Sequence, residues 1–187
     1  LSKTGLSANR PLGIIAVCKG LSLNDCYWVD SADNESSFAK VNLYDNRFST
    51  ILASIAFTGY GSSVRSSLFS SPEFSTNGML PKCWRRINGK IYLYKGGTSG
   101  FSNTGFEPYS ELYAYQIAKA MRINAIRYTL TKDLKKSLCS KCELFTSKDY
   151  SYMPIGQLIR KGNMEAIREY YQTLGQSFVD ALDDMII

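Results

Sequence analysis

The sequence predicts an α+β fold: a small antiparallel sheet with one helix packed on it, a mainly helical segment before the sheet and a long helix after it. Three observations predict this fold. An Asn-Gly pair at positions 88 and 89 separates two runs rich in Trp, Ile, Tyr and Leu, which is a strong hairpin signal. Ser110–Met121 then has apolar residues at helical spacing, and Met164–Ile187 has the same spacing over a greater length.

Residues 1–70 are predicted to form a mainly helical subdomain. Pro11 suits the first turn of a helix, and the apolar residues that follow it at helical spacing end before Gly20. Leu21–Val29 is predicted as either a short strand or a packed turn.

A second helix is predicted over Phe48–Phe57 and ends at Gly59. Its predicted apolar face consists of Ile51, Leu52, Ile55 and Ala56. The serine-rich stretch Ser62–Ser71 is predicted to be a linker or an adaptable loop.

Residues 71–146 contain the parts of a nucleotide-phosphate site in the order that such a site needs. A glycine loop at Asn77 and Gly78 precedes the hairpin, the second strand leads to Lys95, and the next helix carries Glu111. A glycine loop lets backbone N–H groups approach phosphate oxygens, a lysine supplies a point charge, and a helix carboxylate holds that lysine extended. Opposite charges about 4 Å apart attract by roughly 1 kcal/mol in water and about 4 kcal/mol at an effective dielectric near 20, so the pair is expected in a partly closed cleft.

Two more strands are predicted after that helix, at Ala125–Leu130 and Cys142–Thr146. The glycine-rich segment Gly96–Gly105 either wraps phosphates through its backbone amides or is a flexible connection. The chain contains no GxxxxGKS or GxxxxGKT motif, which argues against a P-loop ATPase. The apolar stripe of the C-terminal helix is formed by Ile167, Tyr171, Leu174, Phe178, Leu182 and Met185.

Composition indicates a globular protein with an excess of positive charge. The 187 residues are 44% hydrophobic and 20% charged, with a formal net charge of +6 and a pI near 9.0. Such an excess fits ATP phosphates, a nucleic acid or an acidic protein face, and it also occurs on proteins with none of these partners. The chain has no run of eighteen apolar residues and no signal-peptide pattern, so a cytoplasmic protein without membrane contact is expected. Leu1 in place of an initial Met indicates a trimmed or processed piece.

The five cysteines are expected to be reduced and structural. Cys139 and Cys142 have the spacing of half a zinc site, but the chain contains no second CxxC pair and no histidine. A four-ligand site would need distant cysteines, so no metal site is predicted in this chain.

The runs GMLPKCWRRINGKIYLYKGGTSG and EPYSELYAYQIAKAM resemble the HipA-like protein kinases, and in particular a bacterial and phage-borne group of them. In these kinases a GVQPK-type loop precedes the ATP lysine, and a glutamate opens the next helix. Gly78, Pro81 and Lys82 fall on the loop motif, Lys95 on the ATP lysine and Glu111 on the helix acid.

The resemblance extends from about Leu21 to the C-terminus and implies a kinase architecture. Residues 71–146 would form a kinase-like N-lobe, and residues 147–187 the hinge exit and a long helix at the start of a truncated C-lobe. The run CELFTSKDYSYMPIG resembles the hinge that holds adenine, which implies a role there for Glu143 and Phe145.

The same resemblance implies ligands and partners. ATP and Mg²⁺ would be the cofactors, a protein serine or threonine the substrate, and an antitoxin-like DNA-binding protein a partner. The residues implied to bind ATP are Asn77, Gly78, Lys82, Lys95, Glu111, Glu143 and Phe145. Ser75, three residues before the loop glycine, would lie near the serine whose autophosphorylation displaces the loop in that family.

The resemblance also implies that this chain alone does not transfer phosphate. HipA-like proteins carry an N-x-D-R-H-x-x-N type catalytic loop in a second lobe, followed by a metal-binding aspartate. The chain has no histidine and ends at Ile187, so the catalytic base and the Mg²⁺ ligands are expected outside it. Asp180, Asp183 and Asp184 are more simply explained as a charged helix face.

A non-enzymatic interpretation stays open beside the kinase one. Basic residues beside aromatic rings, as in the run KCWRR at residues 82–86, are typical of surfaces that stack on nucleic-acid bases or engage a partner protein. A strand with Trp84 turned inward explains the same pattern.

Overall fold

The predicted hairpin is the centre of the computed structural model. Strands β1 (Lys82–Ile87) and β2 (Lys90–Gly96) pair antiparallel, and the turn residues Asn88 and Gly89 have φ of 51° and 83°. A two-residue type I′ turn requires positive φ at both positions, so the hairpin prediction is confirmed. The structure describes residues 6, 9–59, 70–76, 78–100, 104–132, 137–154, 164–173 and 175.

Two more strands complete a four-stranded antiparallel sheet within these residues, in the order β1-β2-β4-β3. They are β3 (Tyr128–Lys132) and β4 (Leu138–Glu143). The strands predicted at Ala125–Leu130 and Cys142–Thr146 are therefore misplaced: β3 begins later and β4 ends earlier than predicted. Cys142 lies near the end of β4 because the pairing with β3 begins at Leu138 and the pairing with β2 begins at Cys139.

The helices confirm the α+β class. They are α1 (Pro11–Cys18), α2 (Phe38–Val41), α3 (Thr50–Thr58), α4 (Glu107–Ala120) and α5 (Met164–Thr173), with a 3₁₀ turn at Pro72–Phe74. Ser49 caps α3 by accepting the Leu52 N–H, and α3 ends at Gly59 with a φ of 69°, as predicted. The predicted apolar face of α3 is wrong in part: the helix buries Leu52 and Ala53, whereas Ile51 is 55% exposed.

The sheet is covered on both faces. On one face, the N-terminal segment contributes to a cluster of Leu21, Leu23, Leu43, Phe48, Trp84 and Ile91, which crosses the predicted subdomain border at residue 70. Leu21–Val29 has neither helix nor strand and is a packed irregular segment. On the other face, α3 packs Ala53 against Cys83 and Tyr94. The buried face of α3 differs from the periodicity-based prediction because the contact with the hairpin, and not the apolar stripe of the isolated helix, decides which residues face inward.

Helix α4 begins at Glu107 rather than at Ser110. The buried Glu107 carboxylate accepts the backbone N–H groups of Thr98 at 3.1 Å and Gly105 at 3.0 Å. These bonds fasten both sides of the glycine-rich segment to the helix start. Gly97 packs so closely on the Gly105 backbone that a Cβ would collide with it. Two amides of the segment are thus occupied by a carboxylate and are not directed at a phosphate.

Several predictions fall outside the described residues. They are Asn77 of the glycine loop, most of the Ser62–Ser71 linker, and the C-terminal helix beyond Thr173, including Asp180, Asp183 and Asp184. Within the part of the chain that is described, no helix has the length and apolar character needed to cross a membrane.

Candidate functional site

A cleft of about 520 Å³ opens on the sheet face that also receives the N-terminal segment. Six of its strand residues share this face, and they are Lys82, Trp84, Leu93, Lys95, Tyr128 and Cys142. Glu143, the last residue of β4, also lines the cleft. Side chains alternate across a strand, so the antiparallel register places Lys82 directly opposite Lys95. The rim combines the N-terminal segment, the turn at Ser75 and Thr76, and the segment after β4.

The amine of Lys95 is held by two acceptors at the cleft border. Lys95 Nζ donates to Glu111 Oε1 at 2.7 Å and to Tyr128 Oη at 2.6 Å. The Lys95 and Glu111 side chains are 20% and 28% exposed, so the ion pair is shielded from most of the solvent. Burial raises the pKa of Tyr128, which therefore acts as a neutral hydroxyl. The two charged residues that the sequence predicted to meet do meet, with a third partner that it did not predict.

Lys82 brings a second positive charge to the same place. Burial lowers the pKa of Lys82, and the charge of Lys95 lowers it further, while Glu111 opposes the shift. Like charges directly opposite on paired strands destabilise a sheet. The lysine ammonium also lies against Gly78, whose φ of 110° is a conformation that favours glycine. The loop glycine and both lysines therefore form one positively charged corner of the cleft.

Ser75 lies at the cleft rim with its hydroxyl engaged. Ser75 Oγ donates to the carbonyl of Leu21 at 3.0 Å and is 3.3 Å from that of Pro72. These bonds hold the turn that leads to Gly78 against the N-terminal segment. Modification of Ser75 stays a prediction, and a phosphate on Oγ would remove the proton that this oxygen donates.

Trp84 supports the same turn from inside the protein. Its indole N–H donates to Thr76 Oγ1 at 2.8 Å, and its backbone N–H donates to Glu73 Oε1 at 3.0 Å. Arg86 donates to backbone carbonyls of the N-terminal segment at residues 43, 44 and 46. Trp84 and Arg86 therefore make internal contacts and do not form the stacking surface considered for residues 82–86.

Glu143 and Phe145 lie at the other end of the cleft. The Glu143 carboxylate forms an exposed ion pair with Lys90 at 2.8 Å, so it is not directed at Lys95. The half-exposed ring of Phe145 packs edge to face on Tyr152, with centroids 5.4 Å apart. The two rings form an aromatic rim of the kind on which a nucleobase can stack.

The N-terminal segment closes this end of the cleft through backbone contacts. Thr146 Oγ1 donates to the carbonyl of Leu23, and the Tyr152 N–H donates to the carbonyl of Asn24 at 2.7 Å. Residues far apart in sequence thus build one wall. Residues 1–70, which were predicted as a mainly helical subdomain, thus contribute to the candidate site through Leu23 and Asn24, which lie in an irregular segment.

Sequence reasoning missed Tyr128 and Tyr152. The chain has 13 tyrosines, and periodicity gives no reason to prefer one of them. Tyr152 could have been found, because it lies in the run CELFTSKDYSYMPIG that resembles an adenine hinge. Tyr128 required the strand register, which places it beside Cys142 on β4.

The cleft has the chemistry of an anion site with an aromatic rim. Among the described residues, no group of three or more His, Cys, Asp or Glu side chains could hold a metal ion. The chain matches no protein-family model, and no curated protein and no solved structure is significantly similar to it.

Proposed function

We propose that this chain is the ATP-binding portion of a HipA-like serine/threonine protein kinase. The observation that carries the proposal is the Lys95–Glu111 pair, which joins a strand and a helix at 2.7 Å on the border of the 520 Å³ cleft. In protein kinases such a pair holds the strand lysine extended toward the nucleotide phosphates. The small antiparallel sheet with α4 beside it is compatible with a kinase N-lobe.

The residues of the cleft fit a nucleoside triphosphate. Lys82 and Lys95 face each other, and a phosphate near them would add negative charge to that of Glu111 beside the two ammonium groups. The cleft volume lies in the range of about 300–1,000 Å³ that is typical of ligand pockets. Phe145 and Tyr152 offer the base an aromatic contact at the opposite end. Charge at one end and rings at the other match the two ends of ATP.

Each residue would have a separate task. Lys95 binds the phosphates, and Glu111 and Tyr128 position its amine. Lys82 adds a positive charge beside Gly78 of the glycine loop. ATP supplies the phosphoryl group that a kinase transfers, and Mg²⁺ would accompany its phosphates. No ligand of Mg²⁺ and no catalytic base is assigned to the described residues. The protein substrate and an antitoxin-like partner stay predictions.

Calorimetric titration with a non-hydrolysable ATP analogue, with and without Mg²⁺, tests the proposal. Lys95→Ala and Lys82→Ala are each expected to weaken binding about tenfold or more, because each removes a charge that faces the phosphates. Lys40→Ala is the matched control, since Lys40 is an exposed lysine of α2 that does not line the cleft. Binding that is absent from the wild-type chain, or equal in all four proteins, would overturn the proposal.

The same proteins distinguish the nucleic-acid alternative. A single-stranded oligonucleotide is titrated at low and high salt, because phosphate-dominated binding weakens steeply as salt rises. Tight, salt-sensitive oligonucleotide binding without ATP binding would favour the binding-module interpretation. ATP binding that depends on Lys95, with weak oligonucleotide binding, supports the kinase-like one.

A further inference from the structure

A second cavity lies between α3 and the sheet, on the face opposite to the cleft. Its volume is about 280 Å³. Ala53 and Phe57 of α3 form one wall, and Cys83 and Tyr94 of the hairpin form the other. These walls are apolar, and strand alternation separates Cys83 and Tyr94 from the row that carries Lys82 and Lys95.

Two arginines border this cavity without a carboxylate partner. Arg47 is exposed, and the guanidinium of Arg85 lies 5.4 Å from the centroid of the Tyr94 ring. Neither forms a salt bridge within the described part of the chain. Arg86 differs from both, because its guanidinium donates to backbone carbonyls of the N-terminal segment. Thr50 and Ser54 add hydroxyl groups along the α3 edge.

We propose that this cavity binds a small aromatic monocarboxylate, with its ring against Phe57 and Tyr94 and its carboxylate at Arg85 and Arg47. An apolar cavity of about 150 Å³ is enough to hold benzene, so 280 Å³ accommodates one or two fused rings. Aromatic walls favour an aromatic guest, because rings gain from edge-to-face and offset contacts with other rings.

The arginines specify the charged group of the ligand. The guanidinium fork matches a carboxylate with two parallel hydrogen bonds, and its charge is always present. Stacking on Tyr94 holds Arg85 at the cavity while its N–H groups stay available for an anion. A multiply charged phosphate ester fits less well, since most of the cavity wall is apolar and would strip its hydration shell. One carboxylate on an apolar ring satisfies both ends of the site.

The test uses the full chain, 2-naphthoate as probe and 2-naphthamide as its neutral counterpart. Calorimetry measures both affinities, and the Ala53 methyl resonance reports by NMR whether the ring enters the cavity. We expect naphthoate to bind with a Kd below about 1 mM and naphthamide to bind about tenfold more weakly. We also expect the Ala53 signal to shift on addition of naphthoate.

Two variants separate the roles of ring and charge. Arg85→Gln removes the guanidinium and is expected to weaken naphthoate about tenfold while leaving naphthamide unchanged. Ala53→Phe fills the cavity and is expected to abolish binding of both probes. Arg127→Gln is the control, because Arg127 is an exposed arginine outside the cavity lining. Ala53→Phe can unfold the chain by overpacking, and Arg85→Gln keeps the test valid in that case.

This inference is independent of the ATP proposal, and Lys95→Ala is expected to bind naphthoate as the wild type does. The proposal would be overturned by any of three results: no naphthoate binding below about 1 mM, equal affinity for naphthoate and naphthamide, or unchanged naphthoate affinity in Arg85→Gln. Displacement of naphthoate by the ATP analogue would likewise overturn it, because that would place the probe in the cleft.

Discussion

Replacement of Glu111 by Gln tests whether a helix carboxylate positions Lys95 for a nucleotide. The variant keeps the length of the side chain and one hydrogen-bond acceptor, so Lys95 Nζ retains a neutral partner in addition to Tyr128 Oη. Only the negative charge beside the amine is removed. We expect the amine to sample more orientations and the affinity for ATP to fall.

The size of the effect follows from the geometry of the pair. Hydrogen bonds to charged groups contribute about 1.5–3 kcal/mol net, and the partial exposure of both side chains places this one near the lower limit. The bond to Tyr128 preserves part of the positioning. A loss of about 1.4 kcal/mol corresponds to about a tenfold rise in the Kd for ATP.

The assay is titration of the wild type, Glu111→Gln, Lys95→Ala and Glu35→Gln with a non-hydrolysable ATP analogue. Glu35 is an exposed acid of the N-terminal region and controls for the change in net charge. If Glu111→Gln binds like the wild type while Lys95→Ala loses binding, Lys95 does not need its carboxylate partner. Glu111 would then have no positioning role, although the cleft would still bind nucleotide.

Three further predictions concern residues around the cleft. Tyr128→Phe removes the hydroxyl that accepts from Lys95, so unfolding in urea should show a loss of about 1 kcal/mol and the ATP affinity should fall a few-fold; unchanged values would contradict the role of the hydroxyl. Ser75→Glu, a mimic of phosphorylation, should lower the free energy of unfolding by about 1–3 kcal/mol through lost hydrogen bonds and a half-buried charge, whereas the exposed Ser37→Glu should not. Burial raises the pKa of Glu73 in the folded state, against the hydrogen bonds that it accepts. The protonated carboxyl group therefore stabilises the fold below about pH 4.5, and this stabilisation is lost as pH rises through the folded pKa. Glu73→Gln should therefore gain stability relative to the wild type as pH rises from 4.5 to 7, and a constant difference between the two unfolding curves would contradict this.

The hairpin and the contact between Lys95 and Glu111 could be predicted from short stretches of sequence. The Asn88-Gly89 turn is specified by its own backbone conformation, which few other residue pairs adopt. The contact between Lys95 and Glu111 was predicted from the order of strand, lysine and helix together with the HipA-like motifs, and the two side chains lie at 2.7 Å.

Non-local packing decided what the sequence did not predict. The bounds of β4 follow from its pairing with β2 and β3, and the bounds of β3 follow from its pairing with β4. Apolar periodicity along one strand does not show where such pairing begins and ends. The buried residues of α3 are Leu52 and Ala53, and the contact of Ala53 with the hairpin is not visible in the apolar periodicity of the helix. The Leu23 and Asn24 wall depends on bonds to Thr146 and Tyr152, which no short motif encodes.

Stability of the sheet alone does not explain why a lysine occupies position 82. Its ammonium faces that of Lys95 across paired strands, and its pKa is lowered by burial and by that neighbour. A folded-state pKa below the ordinary value means that the charged form opposes folding at all pH values below the shifted pKa. An uncharged residue at position 82 would serve the strand better, because like-charged cross-strand pairs are unfavourable. Sequences tend to break such local rules where a function compensates for the loss, and under the proposed function a bound polyphosphate would supply that compensation.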